Sequence, residues 1–312
     1  MSIRTKHIPI FIPASDATVP YLAVTLQSIS EHASEEYIYD VRVLTSGIAP
    51  YNRRKLRHMS LFGISLYIVD LDSKVQEYRA DLEERLSGGD GEEIFYPLLI
   101  ASMYPRITKA LCFKAGTLLR CDPEELYRVD IGDAMVAGLN KGGSYFGEVF
   151  DAYARHWVGV ESGRYVDTGA MLLNFSAFRR HKIEERFKRL ITGYNFDTVS
   201  PAGDYLNFLT RSRATVINDE WHSQGEVMIA TFDNYNSPWY CVDLPFADEV
   251  WDVARRTPFY DDVRDAYIDM DESKREMMAR EKEEMISHAR RLSMAEGGFF
   301  GTLGDNYLIS ER

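Results

Sequence analysis

Short apolar runs alternate with segments of helical spacing along the first half of the chain. In the first helical segment, Leu22, Leu26 and Ile29 recur on one face, as an amphipathic helix requires. The pattern predicts strands at residues 8–12, 39–46, 64–71 and 109–113, and helices at 20–30, 50–59 and 94–104. Strands that alternate with helices are joined by right-handed crossovers, so we expect a largely parallel sheet.

The second half of the chain is patterned less regularly. Residues 129–139 predict a strand, and residues 165–180 predict a glycine-containing turn, a strand and the start of a helix. Residues 271–294 predict a helix with charges of both signs and an apolar stripe formed by Met278, Met285, Ala289 and Leu292. This stripe indicates that the helix docks on the body of the protein or on a partner.

Length and composition limit the class of protein. A chain of 312 residues exceeds a typical α/β domain, so we expect a main domain at 1–262 and a C-terminal helical appendage at 263–312. A net charge of -12 disfavours nucleic acid as the main partner. The first apolar run is too short for a signal peptide or a transmembrane segment, which makes the cytoplasm the expected location. Three cysteines without CxxC spacing indicate neither a disulfide framework nor a zinc site.

Polar residues follow two of the predicted strands. Ser15 and Asp16 come directly after the first strand, and residues 114–116 (Lys-Ala-Gly) come after the fourth. Ligands of open α/β sheets bind beyond the carboxyl ends of the strands. We therefore expect these two segments to face one crevice.

Six segments stand in the order found in glycosyltransferase family 8. They are IPIFIPASDATVPYLAVTLQSI, YDVRVLTSGIAP, ITKALCFKAGTLLRCDPEELYRVDIGDAMVAGL, YVDTGAMLLNFSAFR, AGDYLNFL and NSPW. From residue 8 to residue 260 the chain therefore resembles this family, which includes glycogenin and bacterial lipopolysaccharide galactosyl- and glucosyltransferases. The resemblance implies an α/β protein of the GT-A fold, with a mostly parallel central sheet flanked by helices.

The resemblance also implies a metal site, and its residues are replaced here. Family members retain anomeric configuration and use a sugar nucleotide, usually a UDP-sugar, with a divalent cation, normally manganese, held by two aspartates of a DxD motif and a later histidine. Lys114 and Gly116 stand at the aspartate positions, and Thr231 stands at the histidine position. We therefore expect the manganese site to be lost and no other cofactor to be present.

Other positions of the donor site are altered as well. Leu98 stands at a family arginine, Ser237 at a lysine that contacts diphosphate, and the base-stacking tyrosine has no aromatic counterpart unless Tyr21 substitutes for it. Asp204 alone persists from an acidic donor-sugar segment. The positions expected around a nucleotide sugar are Ala14, Ser15, Asp16, Lys114, Gly116, Asp167, Gly203, Asp204, Thr231 and Ser237.

Two functions fit these replacements. The first is a pseudo-glycosyltransferase that supports an active glycosyltransferase or binds a glycan or protein, with the C-terminal helix available for self-association. The second is a metal-independent retaining transferase that uses a UDP-sugar, with the Lys114 ammonium in place of the cation. In that case Asp167 or Asp204 would orient the acceptor. A second positive group would come from Lys141, Arg164 or Arg120.

Overall fold

A computed structural model of the protein describes residues 6–86, 91–140, 147–217, 222–223, 226–233 and 235–304. The strands are β1 (Lys6–Pro13), β2 (Tyr37–Thr45), β3 (Ile64–Asp70), β4 (Lys109–Phe113), β5 (Leu118–Leu119), β6 (Val136–Asn140), β7 (Val166–Asn174), β8 (Ala214–Val216), β9 (His222–Ser223), β10 (Glu226–Val227) and β11 (Ile229–Ala230). The helices are α1 (Val19–His32), α2 (Pro50–Arg57), α3 (Asp72–Val75), α4 (Arg79–Glu83), α5 (Pro123–Arg128), α6 (Glu148–Tyr153), α7 (Phe175–Arg180), α8 (Ile183–Gly193), α9 (Pro201–Thr210), α10 (Ala247–Ala254), α11 (Tyr260–Ile268), α12 (Glu272–Leu292) and α13 (Gly298–Leu303).

The central sheet has seven strands in the order β3-β2-β1-β4-β7-β6-β8. All neighbouring strands in it are parallel except β7, which runs antiparallel to both β4 and β6. The prediction of an α/β fold with a mostly parallel central sheet is therefore confirmed. In a separate two-stranded pair, β5 lies antiparallel to β11, which brings the late part of the chain beside the end of β4.

Two hydrophobic clusters cover the two faces of this sheet. Side chains along a strand point alternately to opposite faces. Accordingly, Phe11 of β1 belongs to one cluster, whereas Ile10 and Ile12 belong to the other. In β4, Cys112 and Leu111 divide in the same way. The apolar runs seen in the sequence are therefore strands that are buried on both faces.

The segment predicted as a helix at 94–104 is different. The chain forms a 3₁₀ helix at Glu92–Leu98 and then a series of turns. Pro97 lies inside this segment, and proline lacks the N–H that an α-helix interior needs. The prediction of a regular helix here was wrong, because the apolar spacing was given more weight than the proline.

The strand predicted at 129–139 begins later than expected, at Val136. The Asp130 side chain accepts a hydrogen bond of 2.9 Å from the backbone N–H of Gly132, and Gly132 has a φ of +51°. An aspartate that binds the backbone two residues on, followed by a glycine in the left-handed region, forms a turn. This turn excludes the first part of the segment from the sheet.

The C-terminal helices pack on the rest of the molecule. Helix α11 contacts α1, α12 contacts α6, and α13 contacts the π-helical turn at Ala154–Val158. The apolar stripe of α12 is the docking face, because Ala289 and Leu292 are buried in a hydrophobic cluster. The predicted domain boundary at residue 262 falls inside α11. Within the described residues, none of the helices has the length and apolar character needed to cross a membrane.

Candidate functional site

A cavity of about 700 Å³ opens at the carboxyl ends of β1 and β4. Its lining includes Ser15 after β1 and Lys114 and Gly116 after β4, so the two segments expected to share a crevice do contribute to one. Gly203 and Ser237 from the second half of the chain also line it. The volume lies within the range of about 300–1,000 Å³ that is usual for small-molecule sites.

The backbone around Lys114 is held by β7. The Lys114 N–H donates to the Gly169 carbonyl over 2.9 Å, and the Thr117 hydroxyl donates to the same oxygen over 3.1 Å. The Thr117 N–H then closes a turn on the Lys114 carbonyl at 3.1 Å. This turn places an ammonium group on the cavity wall, where the family resemblance would place the first metal carboxylate.

Gly116 lies in the middle of that turn, with a φ of +92°. Its N–H donates to the Thr25 hydroxyl over 3.0 Å. A Cβ added here would lie 3.4 Å from the Trp239 ring, in a backbone conformation that side chains rarely adopt. At the second aspartate position the chain therefore has a glycine packed under an aromatic ring.

Thr231 and Asp167 bind each other. The Thr231 hydroxyl donates to the Asp167 carboxylate over 3.0 Å, and the Gly169 N–H donates to the other carboxylate oxygen over 3.1 Å. Neither Thr231 nor Asp167 is part of the cavity lining. The pair fastens β11 to the start of β7, which is a structural contact.

Asp204 is fully buried beneath the cavity floor. Its carboxyl group accepts hydrogen bonds from the Tyr153 and Tyr165 hydroxyls at 2.6 and 2.7 Å, and from the backbone N–H groups of Val199 and Ser200 at 3.1 and 3.0 Å. Burial, together with the negative charge of Asp204, raises the pKa of both tyrosines well above the usual value. Asp204 is not part of the cavity lining, although its neighbour Gly203 and its partners Val199 and Ser200 are.

Among the residues at the end of β1, too, some line the cavity and others do not. Ser15 lines the cavity, but the Asp16 carboxylate accepts hydrogen bonds from the Ala49 N–H at 2.8 Å and from the Asn52 amide at 2.9 Å. Asp16 therefore joins β1 to the start of α2. Ala14 is fully buried and does not reach the cavity.

An aromatic stack occupies the wall next to Ser15. The rings of Tyr21 and Trp239 stack with their centroids 4.6 Å apart, and Trp239 is buried. Burial raises the pKa of the Tyr21 hydroxyl, and a hydrogen bond with Tyr240 raises it further. Tyr21 thus lies on the cavity wall, but its ring already packs on that of Trp239.

Ser237 is the most unusual residue of the late loop. It is only 3% exposed, and its hydroxyl has no hydrogen-bond partner among the described residues. Its carbonyl accepts hydrogen bonds from the N–H groups of Tyr240 and Cys241. The loop before it is closed by Asp233, whose carboxylate accepts hydrogen bonds from Tyr235 and Asn236.

Helix α12 forms one wall of the cavity. Helix α12, together with Met270 just before it, contributes six lining residues, which are Met270, Lys274, Met277, Met278, Glu281 and Met285. Arg275 donates to the Tyr240 carbonyl over 2.6 Å and Lys282 to the Asn236 side chain over 3.0 Å, which hold the helix against the late loop. The sequence indicated that α12 docks on the body of the protein or on a partner. It did not indicate that its methionines face the site, although the stripe of methionines was a visible signal.

The other predicted cations lie elsewhere. Arg120 binds Glu249 over 2.8 Å and the Val227 carbonyl over 2.6 Å, and Arg164 donates to the Ala214 carbonyl over 3.3 Å. Lys141 lies outside the described residues. Lys274 of α12 shares the cavity with Lys114 instead, and sequence reasoning missed it.

The residues at the cation positions do not fit a divalent metal. Lys114, Gly116 and Thr231, which the resemblance places at these positions, offer an ammonium, no side chain and a hydroxyl, whereas hard cations need oxygen ligands with negative charge. Across the described part of the chain, no group of three or more His, Cys, Asp or Glu side chains is placed to hold a metal. Cys112 lines the cavity, but burial raises the pKa of its thiol to about 12, so it is protonated at neutral pH.

Solved structures with a similar fold include two glycosyltransferases. The galactosyltransferase LgtC, solved in complex with donor and acceptor sugar analogs, is 18% identical with a TM-score of 0.64, covering 80% of this chain and 96% of its own. The apo structure of the bifunctional glycosyltransferase WbbM has a TM-score of 0.68 at 16% identity over 86% of this chain. The chain spans only about half of WbbM, 53% of its length. The fold and its crevice define the class as GT-A.

Sequence comparison identifies the family within that class. The model of glycosyl transferase family 8 matches residues 9–242. The chain belongs to glycosyltransferase family 8. A curated relative, General stress protein A of Bacillus subtilis (strain 168), is 20% identical over 219 residues, which is 69% of this chain and 73% of the relative.

Proposed function

We propose that this protein is a catalytically degenerate member of glycosyltransferase family 8. In this proposal it does not carry out manganese-dependent sugar transfer, and it acts in glycan assembly by supporting an active glycosyltransferase or by binding a glycan or protein. The observation that supports it is the replacement of all three cation ligands, by Lys114, Gly116 and Thr231, in a fold that is otherwise kept.

The physical reason concerns the leaving group. A departing nucleoside diphosphate needs concentrated positive charge, which a divalent cation supplies in this family. An ammonium at the position of Lys114 repels such a cation instead of binding it. Thr231 is bound to Asp167 and is not part of the cavity lining. Restoring the ligand set would therefore require several changes and not one.

The wall formed by α12 also supports the proposal. Methionine side chains of this helix line the same cavity as Lys114, and hydrogen bonds from Arg275 and Lys282 hold the helix in place. Apolar thioethers offer no strong partners for sugar hydroxyls or phosphate oxygens. The cavity is therefore poorly matched to a sugar diphosphate.

Lys114 favours a second candidate, a metal-independent retaining transferase that uses a UDP-sugar. Its ammonium lines the cavity, and Lys274 of α12 lines the same cavity. A fixed positive charge near a leaving group lowers the barrier by electrostatic stabilisation. A lysine is a compact point charge and is a reasonable substitute for part of the charge of a cation.

Calorimetric titration with UDP, UDP-glucose and UDP-galactose, each with and without manganese, tests these proposals. We expect no manganese-dependent binding and no transfer. Manganese-dependent binding followed by transfer would contradict degeneracy. Metal-independent binding with turnover, weakened at least tenfold in Lys114→Ala, would establish the second candidate. Lys6→Ala is the matched control, because Lys6 is exposed at the opposite end of β1.

The supporting role has its own test. Tagged full-length protein, recovered from its native host, should bring with it measurable sugar-transfer activity that the purified chain lacks. A chain that is recovered without any such activity, and without bound glycan, would argue against this role.

A further inference from the structure

One wall of the cavity is apolar and belongs to the main hydrophobic core. Leu98, Phe150, Met171 and Leu206 line the cavity and are all buried in the larger hydrophobic cluster. Met285 of α12 packs against the same cluster. A ligand placed here meets apolar side chains of the core on this wall, and the hydroxyls of Ser200 and Ser237 lie elsewhere in the same lining.

Methionine is concentrated at this site. Five of the eleven methionines of the chain line the cavity, and they are Met171, Met270, Met277, Met278 and Met285. Unbranched thioether side chains adjust to the shape of what they contact, which suits flexible apolar ligands. Met277 is 52% exposed at the cavity, so a ligand would remove apolar surface from water.

A polar end lies on another part of the wall. The buried Ser237 hydroxyl has no partner among the described residues, and a buried hydroxyl in that state is unfavourable until a ligand binds it. Lys114 lines the same cavity. Gly116, two residues after Lys114, lies against the ring of Trp239, two residues after Ser237.

The acidic residues of the lining limit the charge of the ligand. Glu93 is buried, the Asp233 carboxylate is engaged by the loop that follows it, and Glu281 is on the exposed side of α12. Three carboxyl groups and two lysines make the cavity unsuitable for a ligand with several negative charges. A head group that accepts hydrogen bonds and has at most one charge fits better.

We propose that the cavity binds a single-chain amphiphile. Its alkyl chain lies between the core wall and the methionines of α12, and its head group binds Ser237 and Lys114. This inference rests on the proposed function, because it takes the cavity as no longer serving a sugar diphosphate with its cation. In this proposal the site includes positions that are polar in the family and apolar here, such as Leu98, which the resemblance places at an arginine.

A chain-length series tests the inference. Full-length protein is titrated in a calorimeter with butyl, hexyl and octyl β-glucoside and with octanoate, all below their micelle concentrations. We expect the affinity for the glucosides to rise about threefold to fourfold with each added methylene, as burial of apolar surface predicts. Equal affinities for butyl and octyl glucoside would overturn the proposal. Octanoate, whose head group is a carboxylate, tests the role of the Lys114 charge. Its binding should weaken severalfold in Lys114→Gln, whereas the binding of the glucosides should not.

Variants locate the chain-binding surface. Met278→Glu puts a charge on the cavity wall and Ala202→Leu fills part of it, so each should weaken octyl glucoside at least tenfold. Met294→Glu is the matched control, because Met294 is 79% exposed and outside the lining. It should bind within twofold of the parent. Parent-like binding by both test variants would overturn the proposal, and Ala202→Leu decides the matter if Met278→Glu does not fold.

The two proposals fail in different ways. Manganese-dependent transfer from a UDP-sugar contradicts the proposed function and is seen in an assay without any amphiphile. A flat chain-length series overturns the amphiphile site and leaves the absence of manganese-dependent transfer as it was.

Discussion

Asp204 and Ser237, two residues predicted to lie near a donor sugar nucleotide, differ in what their side chains contact. Asp204, predicted to persist from an acidic donor-sugar segment, is fully buried with four hydrogen-bond donors around it. Ser237, predicted to stand at a family lysine, lines the cavity, and its hydroxyl has no partner among the described residues. The contacts of Asp204 are structural, whereas the Ser237 hydroxyl is available to a ligand.

Replacing Asp204 should therefore cost stability. Asp204→Ala leaves two buried tyrosine hydroxyls and two N–H groups without their acceptor, so we expect a loss of about 2–4 kcal/mol in the free energy of unfolding. Urea denaturation measures it. Asp204→Asn should lose less, since its amide oxygen still accepts. Asp252→Ala, at an exposed position, is the control and should change stability by less than about 0.5 kcal/mol. A loss below 1 kcal/mol in Asp204→Ala would show that the hydrogen bonds are not important for folding.

At the scale of elements, α12 connects the C-terminal segment to the site. The C-terminal part of its apolar stripe, Ala289 and Leu292, is buried in the core. The methionines of α12, one to three turns earlier, line the cavity. His288 also binds the Asp197 carboxylate over 2.8 Å. One helix thus both packs on the core and forms a wall of the cavity that Lys114 lines.

The start of α12 depends on Asp271. Its side chain accepts a hydrogen bond of 2.9 Å from the Lys274 N–H, which is an N-cap. Asp271→Ala should destabilise the first turn by about 1 kcal/mol and speed hydrogen exchange there about fivefold. Asp271→Asn should keep the parent rate, because asparagine caps equally well. Exchange that is unchanged in Asp271→Ala would mean that packing alone holds this end of the helix.

At the scale of the whole molecule, buried tyrosines dominate the core around Asp204. Tyr153, Tyr165 and Tyr205 are all buried, and burial raises the pKa of Tyr205 to about 12. The Phe299 ring of the C-terminal helix α13 packs edge-on against Tyr205 with their centroids 4.9 Å apart. The core beneath the cavity and the C-terminal segment are therefore one packed unit.

These tyrosines make stability depend on alkaline pH. In the unfolded chain they ionise near pH 10, whereas in the folded protein they stay neutral. Their contribution is complete below pH 10 and is lost as the pH rises toward 12, by about 1.4 kcal/mol per pH unit for each tyrosine. Denaturation midpoints at pH 9, 10 and 11 should fall accordingly.

Tyr205→Phe should reduce that slope, and the exposed Tyr51→Phe is the matched control. A midpoint that stays constant from pH 9 to pH 11 would contradict a raised pKa for these groups.

The sequence by itself determined the layers of the fold and the family. Apolar runs such as 8–12 predicted strands because a strand buried on both faces must be apolar at every position. The family was readable because its segments keep their order along the chain, and the assignment of Lys114, Gly116 and Thr231 to the cation positions stays a prediction. Local patterns are sufficient for such predictions, since they depend on neighbours in the chain.

Only the tertiary structure decided which of these residues face the cavity. Asp167 and Asp204 are drawn away from it by Thr231 and by two tyrosines that come from other parts of the chain. The methionines of α12 reach the cavity because the helix docks on α6, far away in sequence. Side-chain direction at a site depends on hydrogen bonds and packing between distant segments, and a linear pattern does not contain them.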